Sequence, residues 1–176
     1  NSGEPAIAIN GSVVAFTSDA DNLAGGGDHN GKSDVYVKEM RGRTRTRTVG
    51  GLRAVTKRTR LVSQRGGRSG NGPSASPAVN NDGEFIAYET EASNILSGDR
   101  NRSMDIARAD MFRSRPKSVW VSKSIDGQAN GPSANPTMTT SGMFVLFDSD
   151  ATNLRQNHQI ADDDIVRERN GVKLTV

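Results

Sequence analysis

The chain has 176 residues, enough for one domain, and only 33% are hydrophobic, so short elements joined by polar turns suit it better than a few long ones. It has no cysteine, which excludes disulfides and thiolate metal sites, and no apolar run approaches the roughly eighteen residues of a membrane-spanning helix. The net charge is +3, and a first residue of Asn1 rather than Met predicts a chain processed or excised from something longer.

In chain order, Pro5 to Ile9 and Ser12 to Phe16 flank Asn10-Gly11 and read as a β-hairpin, because Asn-Gly tolerates the positive φ of a primed turn. A polar stretch, Phe16-Thr17-Ser18-Asp19-Ala20-Asp21-Asn22-Leu23, leads into the loop Gly27-Asp28-His29-Asn30-Gly31-Lys32-Ser33-Asp34. A third strand follows that last acid, from Val35 to Lys38, and a fourth runs from Arg60 to Ser63. The landmarks then recur. Asn71-Gly72-Pro73-Ser74-Ala75-Ser76-Pro77 returns as Asn130-Gly131-Pro132-Ser133-Ala134-Asn135-Pro136, an offset of 59 residues from Pro77 to Pro136. The hairpin turn returns as Asp82-Gly83 and Ser141-Gly142, and the polar stretch as Tyr88 to Ile95 and Phe147 to Leu154. Third strands are expected at Ile106 to Ala109 and Ile165 to Glu168, and fourth strands at Ser118 to Ser122 and Val172 to Val176. No stretch has helical periodicity with caps.

Repetition at about sixty residues separates this pattern from a sandwich, which has no internal repeat. The expected fold is all-β, three four-stranded antiparallel β-propeller blades: 1–63 with an Arg-rich hairpin insertion at 41–58, then 64–122, then 123–176. Three blades are too few to close a propeller. The chain is therefore expected to be half of a six-bladed ring, completed by a second copy, or a segment of a larger propeller. Phe16, Tyr88 and Phe147 are expected at equivalent buried places between sheets.

The run S-x-x-P, a D-G turn, apolar-A-F-x-S-x-A-x-N-L, G-D-x-N-G-x-x-D and a closing L-V-S resembles the TolB-type propeller repeat, related in shape to WD-repeat propellers. The resemblance spans Ser2 to Val176. It departs in the insertion of copy one and in copy three, where Gln156-Asn157-His158-Gln159-Ile160-Ala161 replaces the G-D-x-N-G loop. It implies a propeller fold, an extracellular or periplasmic place, and contact with protein or glycan.

Asp28, Asn30 and Asp34, with Asp99, Asn101 and Asp105 in copy two, offer oxygens around a turn, as calcium loops do. Copy two has Arg102 where copy one has Gly31, and the later bidentate Glu of an EF-hand is missing, so Asx turns bonding their own loop backbone are the competing and preferred reading. Asp162, Asp163 and Asp164 read as a solvated acidic patch before a cation site. Asn22, Asn94 and Asn153 read as buried amides that satisfy loop backbone groups. No catalytic residue is expected. His29 and His158 both lie in the variable connection with no nucleophile motif beside them. A lectin-like role lacks aromatic platforms, since the single tryptophan, Trp120, sits in an expected outer strand.

Charge is segregated. Residues 41–70 hold ten basic side chains and no acid, which leaves 13 basic against 20 acidic residues elsewhere, or −7. Within the insertion, Arg43-Thr44-Arg45-Thr46-Arg47-Thr48-Val49 and Leu52 to Thr56 alternate around Gly50-Gly51, which predicts a projecting hairpin over 43–56. The expected partner contacts are Arg41, Arg43, Arg45, Arg47, Arg53, Lys57 and Arg58. The function expected is a non-catalytic propeller for protein–protein interaction or structural assembly, its basic arm meeting an acidic surface on a protein partner or a second copy. The alternative is a binder of an anionic polymer, a sulfated glycan or nucleic acid, or a lectin-like extracellular module.

Overall fold

The computed structural model describes residues 1–25, 28–40, 58–112, 115–124 and 127–154, and the backbone of 167–168. Every helix or strand among the described residues is a strand. The first sheet sets β1 (Ser2–Ile7), β2 (Val13–Ser18), β3 (Asp34–Glu39) and β4 (Thr59–Leu61) side by side in chain order. A short ribbon, β5 (Gln64–Arg65) with β6 (Arg68–Ser69), leads to the second sheet. That sheet repeats the order with β7 (Ser74–Val79), β8 (Phe85–Thr90), β9 (Asp105–Asp110) and β10 (Lys117–Trp120). A second ribbon, β11 (Lys123–Ser124) with β12 (Gly127–Gln128), precedes a third sheet of β13 (Ser133–Met138), β14 (Val145–Ser149) and β15 (Arg167–Glu168).

All pairings in the first two sheets are antiparallel, as expected. The third differs. β15 falls inside the strand expected at Ile165 to Glu168 but pairs with β14 in parallel. Copy three lacks the Gly-Asp-x-Asn sequence that shapes the returning loop in the other two. The fourth strand expected at Val172 to Val176, and the Arg-rich insertion from residue 41 to 57, lie outside the described residues.

One irregularity recurs in all three copies. The register slips between Gly3 and Ala6, between Ala75 and Ala78, and between Ala134 and Thr137. The residue before each proline there is left-handed: Glu4 at φ 50°, Ser76 at 51° and Asn135 at 56°. A bulge of this kind bends the strand and re-aims its amide.

The core lies between sheets, not within one. β7 packs across β1, β2 and β3, and β13 across β7, β8 and β9. One apolar cluster joins Val13, Ala15, Val35 and Val37 to Ile86, Tyr88, Ala107 and Ala109. A second joins Ala87, Ile106 and Val121 to Val145 and Phe147. Because strand side chains alternate, β8 sends Ile86 and Tyr88 to one neighbour and Ala87 to the other. Tyr88 and Phe147 are buried as expected, but Phe16 is half-exposed, with no other sheet among the described residues packed on that side. Stacked sheets in this order are consistent with a fragment of a β-propeller, and among the described residues no sheet closes on itself. Among the described residues no helix is long and apolar enough to cross a membrane.

Candidate functional site

The acids singled out in the loops begin strands. Asp34 opens β3 and Asp105 opens β9, and both are fully buried. The closing serine of each of the first two copies completes the same staple. Ser63 donates its hydroxyl to Asp34 Oδ1 and accepts the Val35 amide at 3.0 Å. Ser122 donates to Asp105 Oδ1 at 2.8 Å and accepts the Ile106 amide at 3.0 Å. Each loop asparagine then bridges outward. Asn30 donates to Asp34 Oδ2 at 2.6 Å and to the Gly70 carbonyl at 2.7 Å. Asn101 donates to Asp105 Oδ1 at 3.2 Å and to the Ala129 carbonyl at 2.9 Å. Their side-chain oxygens accept the amides of Lys32 and Ser103, which is the Asx-turn arrangement.

The two copies differ in their second acid. In copy one the Tyr36 hydroxyl lies 2.9 Å from both Asp28 Oδ2 and the Ala20 carbonyl, and Asp28 Oδ1 accepts the Asn30 amide at 3.2 Å. Burial pushes Asp34 up to about 8, and the neighbouring Asp28 carboxyl adds to the rise. Burial also acts to raise Asp28, but hydrogen bonds from Asp34, the Asn30 amide, Ser69 and Tyr36 outweigh it and hold that carboxyl below its ordinary value. Of the two carboxyls, Asp34 is the one whose surroundings favour the neutral form. In copy two Ala107 stands where Tyr36 stands, and Asp99 instead accepts the Gln128 side-chain amide at 3.2 Å. Asp105 Oδ2 is buried with no hydrogen-bond partner, and burial pushes this carboxyl up to about 6. Ser63 and Ser122 are themselves fully buried, so these Asp–Ser pairs cannot meet a substrate. They tie loop, third strand and fourth strand together.

The second feature is a flank. Ile7, equivalent to Val79 and Met138, is 65% exposed, whereas those two pack on the apolar clusters between sheets. Val14 and Phe16 are half-exposed, whereas the equivalent Ile86, Tyr88, Val145 and Phe147 are buried. Gly11 tells the same story: a Cβ there would meet nothing, while one at Gly83 would lie 2.2 Å from Val13 and one at Gly142 2.7 Å from Phe85. A shallow cleft beside this flank, of about 290 Å³, is lined by Glu4, Thr17, Asp19 and Ser33 among others.

No family model matches the chain, and no curated protein matches it. Among solved structures it is similar to TolB from Acinetobacter baumannii, with a TM-score of 0.45 and 14% identity over 87% of this chain. The chain spans 28% of that protein. The likeness is distant.

Of the expected partner contacts, Arg41, Arg43, Arg45, Arg47, Arg53 and Lys57 lie outside the described residues, and Arg58 is exposed where the chain re-enters the first sheet. Asp28, Asn30 and Asp34 do come together, as do Asn101 and Asp105, and loop amides and side chains occupy most of their oxygens. Among the described residues no three acidic, histidine or cysteine side chains form a group that could hold a metal ion. Asn94 and Asn153 bond loop backbone as expected, accepting the Asn71 and Asn130 amides at 2.9 Å, but Asn94 is exposed and Asn153 half-exposed rather than buried. The bonds close across the two ribbons at the surface. Trp120 packs on the first apolar cluster and donates its indole N–H to the Ser97 carbonyl at 3.1 Å. Sequence reasoning missed the acid-to-amide bridges between sheets: Glu4 accepts the Ser76 amide at 2.9 Å and Glu89 the Asn135 amide at 2.6 Å. The prolines that mark each bulge were visible, but nothing in the sequence says where the re-aimed amide points.

Proposed function

We propose that this chain is a non-catalytic module of β-propeller blades, TolB-like in kind, that works in protein–protein interaction or structural assembly at an extracellular or periplasmic site. Its basic segment, residues 41–58, contacts an acidic partner surface. The observation that supports this most is the charge segregation: ten basic and no acidic side chains in residues 41–70, against −7 over the rest. Arg60 donates to the Met111 carbonyl at 3.2 Å and lies 3.9 Å from Glu39, but Arg65 and Arg68 on the first ribbon are exposed. An Arg row on one hairpin face repels itself until something anionic meets it.

The test is a pull-down with the whole chain and with Arg43, Arg45, Arg47 and Arg53 replaced by Ser. The variant should fold as the parent does and lose the partner, and the parent's binding should weaken as salt rises, since exposed charges are screened within about 8 Å at physiological ionic strength. Equal capture by both chains would sink the reading. Nuclease and glycosidase treatment separates a protein partner, which should survive both, from an anionic polymer, which should not.

A further inference from the structure

The first ribbon sets two like charges against each other. Arg65 of β5 stands directly opposite Arg68 of β6, and residues opposed in this way project from the same face. Between them Gly66 and Gly67 turn the chain at φ 64° and 90°. A third cation reaches this turn from the connection between β9 and β10. Arg115 Nη1 donates to the Gly66 carbonyl at 3.2 Å, and its Cζ lies 3.5 Å from where a Cβ on Gly67 would stand. All three arginines are exposed. The backbone beneath them is fixed by buried Gln64, whose Nε2 donates to the Pro116 carbonyl at 3.0 Å while its Oε1 accepts the Gly67 amide at 2.6 Å.

Like charges directly opposite on a ribbon are destabilising. Neither Arg65 nor Arg68 makes a side-chain hydrogen bond or ion pair with another described residue that would offset the repulsion. No acid occurs in the chain between Glu39 and Asp82. Glu39 itself lies against Arg60 at 3.9 Å, and Asp110 Oδ1 accepts the Phe112 amide at 2.8 Å. The second ribbon makes the same pairing with Ser124 opposite Gly127, so the ribbon forms without either charge. We propose that Arg65, Arg68 and Arg115 form a carboxylate-binding site for an acidic peptide segment, a second and fixed contact that rests on the reading of a partner with an acidic surface. Guanidinium forks match a carboxylate bidentately, and a carboxylate between opposed forks removes their repulsion. Residues 58–72 and 115–118 hold no aromatic side chain on which a base would stack, which favours a peptide over nucleic acid. Segment 41–58 draws an acidic surface in by charge, and the ribbon fixes where a carboxylate sits.

The probe is a fluorescein-labelled hexaglutamate peptide, titrated with the whole chain at low salt and read by fluorescence anisotropy. The double variant Arg65→Ser/Arg68→Ser should weaken its binding on the order of tenfold. Arg100→Ser/Lys123→Ser removes the same charge from exposed positions off the first ribbon and should weaken it less than about twofold. Arg65→Lys/Arg68→Lys keeps the charge and should not restore binding, because an ammonium lacks the fork. Should the double Ser variant lose its strand signal by circular dichroism, Arg115→Ser carries the same test from the other element. A parent that does not bind the peptide overturns the proposal. Equal losses from the two Ser variants, or full rescue by lysine, also overturn it, because general positive charge then accounts for the binding. The ribbon and the arm can fail separately. With Arg43, Arg45, Arg47 and Arg53 already replaced by Ser, the ribbon substitutions should still reduce what peptide binding is left, and the pull-down of the partner tests the arm on its own.

Discussion

Asp105 and Asp34 occupy the same structural place and differ in what meets the second carboxyl oxygen. Asp34 Oδ2 receives the Asn30 amide, whereas Asp105 Oδ2 receives nothing; burial, with the nearby Asp99 charge, favours its neutral form against the hydrogen bonds from Ser122 and Asn101. Both acids bind a proton more tightly when folded than at the ordinary value of 3.8, being raised to about 6 for Asp105 and about 8 for Asp34. The proton-linked stability is then fully present below about pH 4 and is lost as pH rises, through about 6 for Asp105 and toward 8 for Asp34. Asp28, held low, runs the other way and offsets part of the Asp34 contribution. Asp105→Asn keeps an oxygen for the Ser122 hydroxyl and cannot ionise. Its unfolding free energy should lose a slope worth on the order of 1–3 kcal/mol between pH 4 and 7 that the parent shows. Urea titrations at stepped pH measure it, and parallel slopes for the two chains would mean that Asp105 is reached by water. The same staples bear on metal: with Asn30 and Asp28 committed to loop amides, chelator should leave the melting temperature unchanged. A rise on adding calcium that Asp34→Ala abolishes would assign the loops to a cation instead.

Between strands, the decisive contacts are those the repeat makes twice among the described residues, at Gly83 and Gly142. Gly83→Ala places a methyl on a left-handed backbone at φ +67° and within 2.2 Å of Val13, so strain of roughly 1–2 kcal/mol adds to overpacking of roughly 1–3 kcal/mol. Gly11→Ala carries only the first cost, since its φ is +66° and nothing lies near. Chemical denaturation should rank the two accordingly, and equal losses would mean that the front flank is already covered in solution. Phe147→Ala, at a 2% exposed site in the second cluster, should cost roughly 3–5 kcal/mol, and Phe16→Ala clearly less. A loss below about 1 kcal/mol at Phe147 would be ordinary for a surface position and would put the β14 register in error. This asymmetry marks the limit of what the sequence could say. The Asn-Gly and Asp-Gly turns, the strand order and the place of Tyr88 and Phe147 were legible because period-two alternation and turn chemistry are local. The exposure of Phe16 was not, because burial at that position depends on a neighbouring sheet. The ribbons at 64–69 and 123–128 were missed for another reason, since strands two residues long carry no periodicity. Parallel pairing of β15 turns on a connection whose sequence had lost the repeat's landmarks.

At the scale of the whole molecule, the basic segment leaves and re-enters the first sheet at neighbouring positions. β3 ends at Glu39 and β4 begins at Thr59, yet Lys38 pairs with Thr59 and the Glu39 amide donates to the Arg58 carbonyl at 3.1 Å. The two ends of the insertion therefore meet across the β3–β4 pair. The second sheet makes the equivalent turn between Asp110 and Lys117 with six residues. Replacing residues 40–58 by a six-residue Gly-Ser linker should leave the strand signal intact. The shorter loop should raise unfolding free energy by about 1 kcal/mol through reduced closure entropy. The same change removes seven basic and no acidic side chains and takes the net charge from +3 to −4. The shortened chain should then pass through a cation exchanger at neutral pH that retains the parent, and should no longer capture an acidic partner. Both properties should go together, because one set of arginines supplies both. If the linker variant unfolds, the segment packs on the sheets and is part of the core. If it folds, loses the exchanger and still holds the partner, binding belongs to the sheet flanks and the arginines serve only solubility.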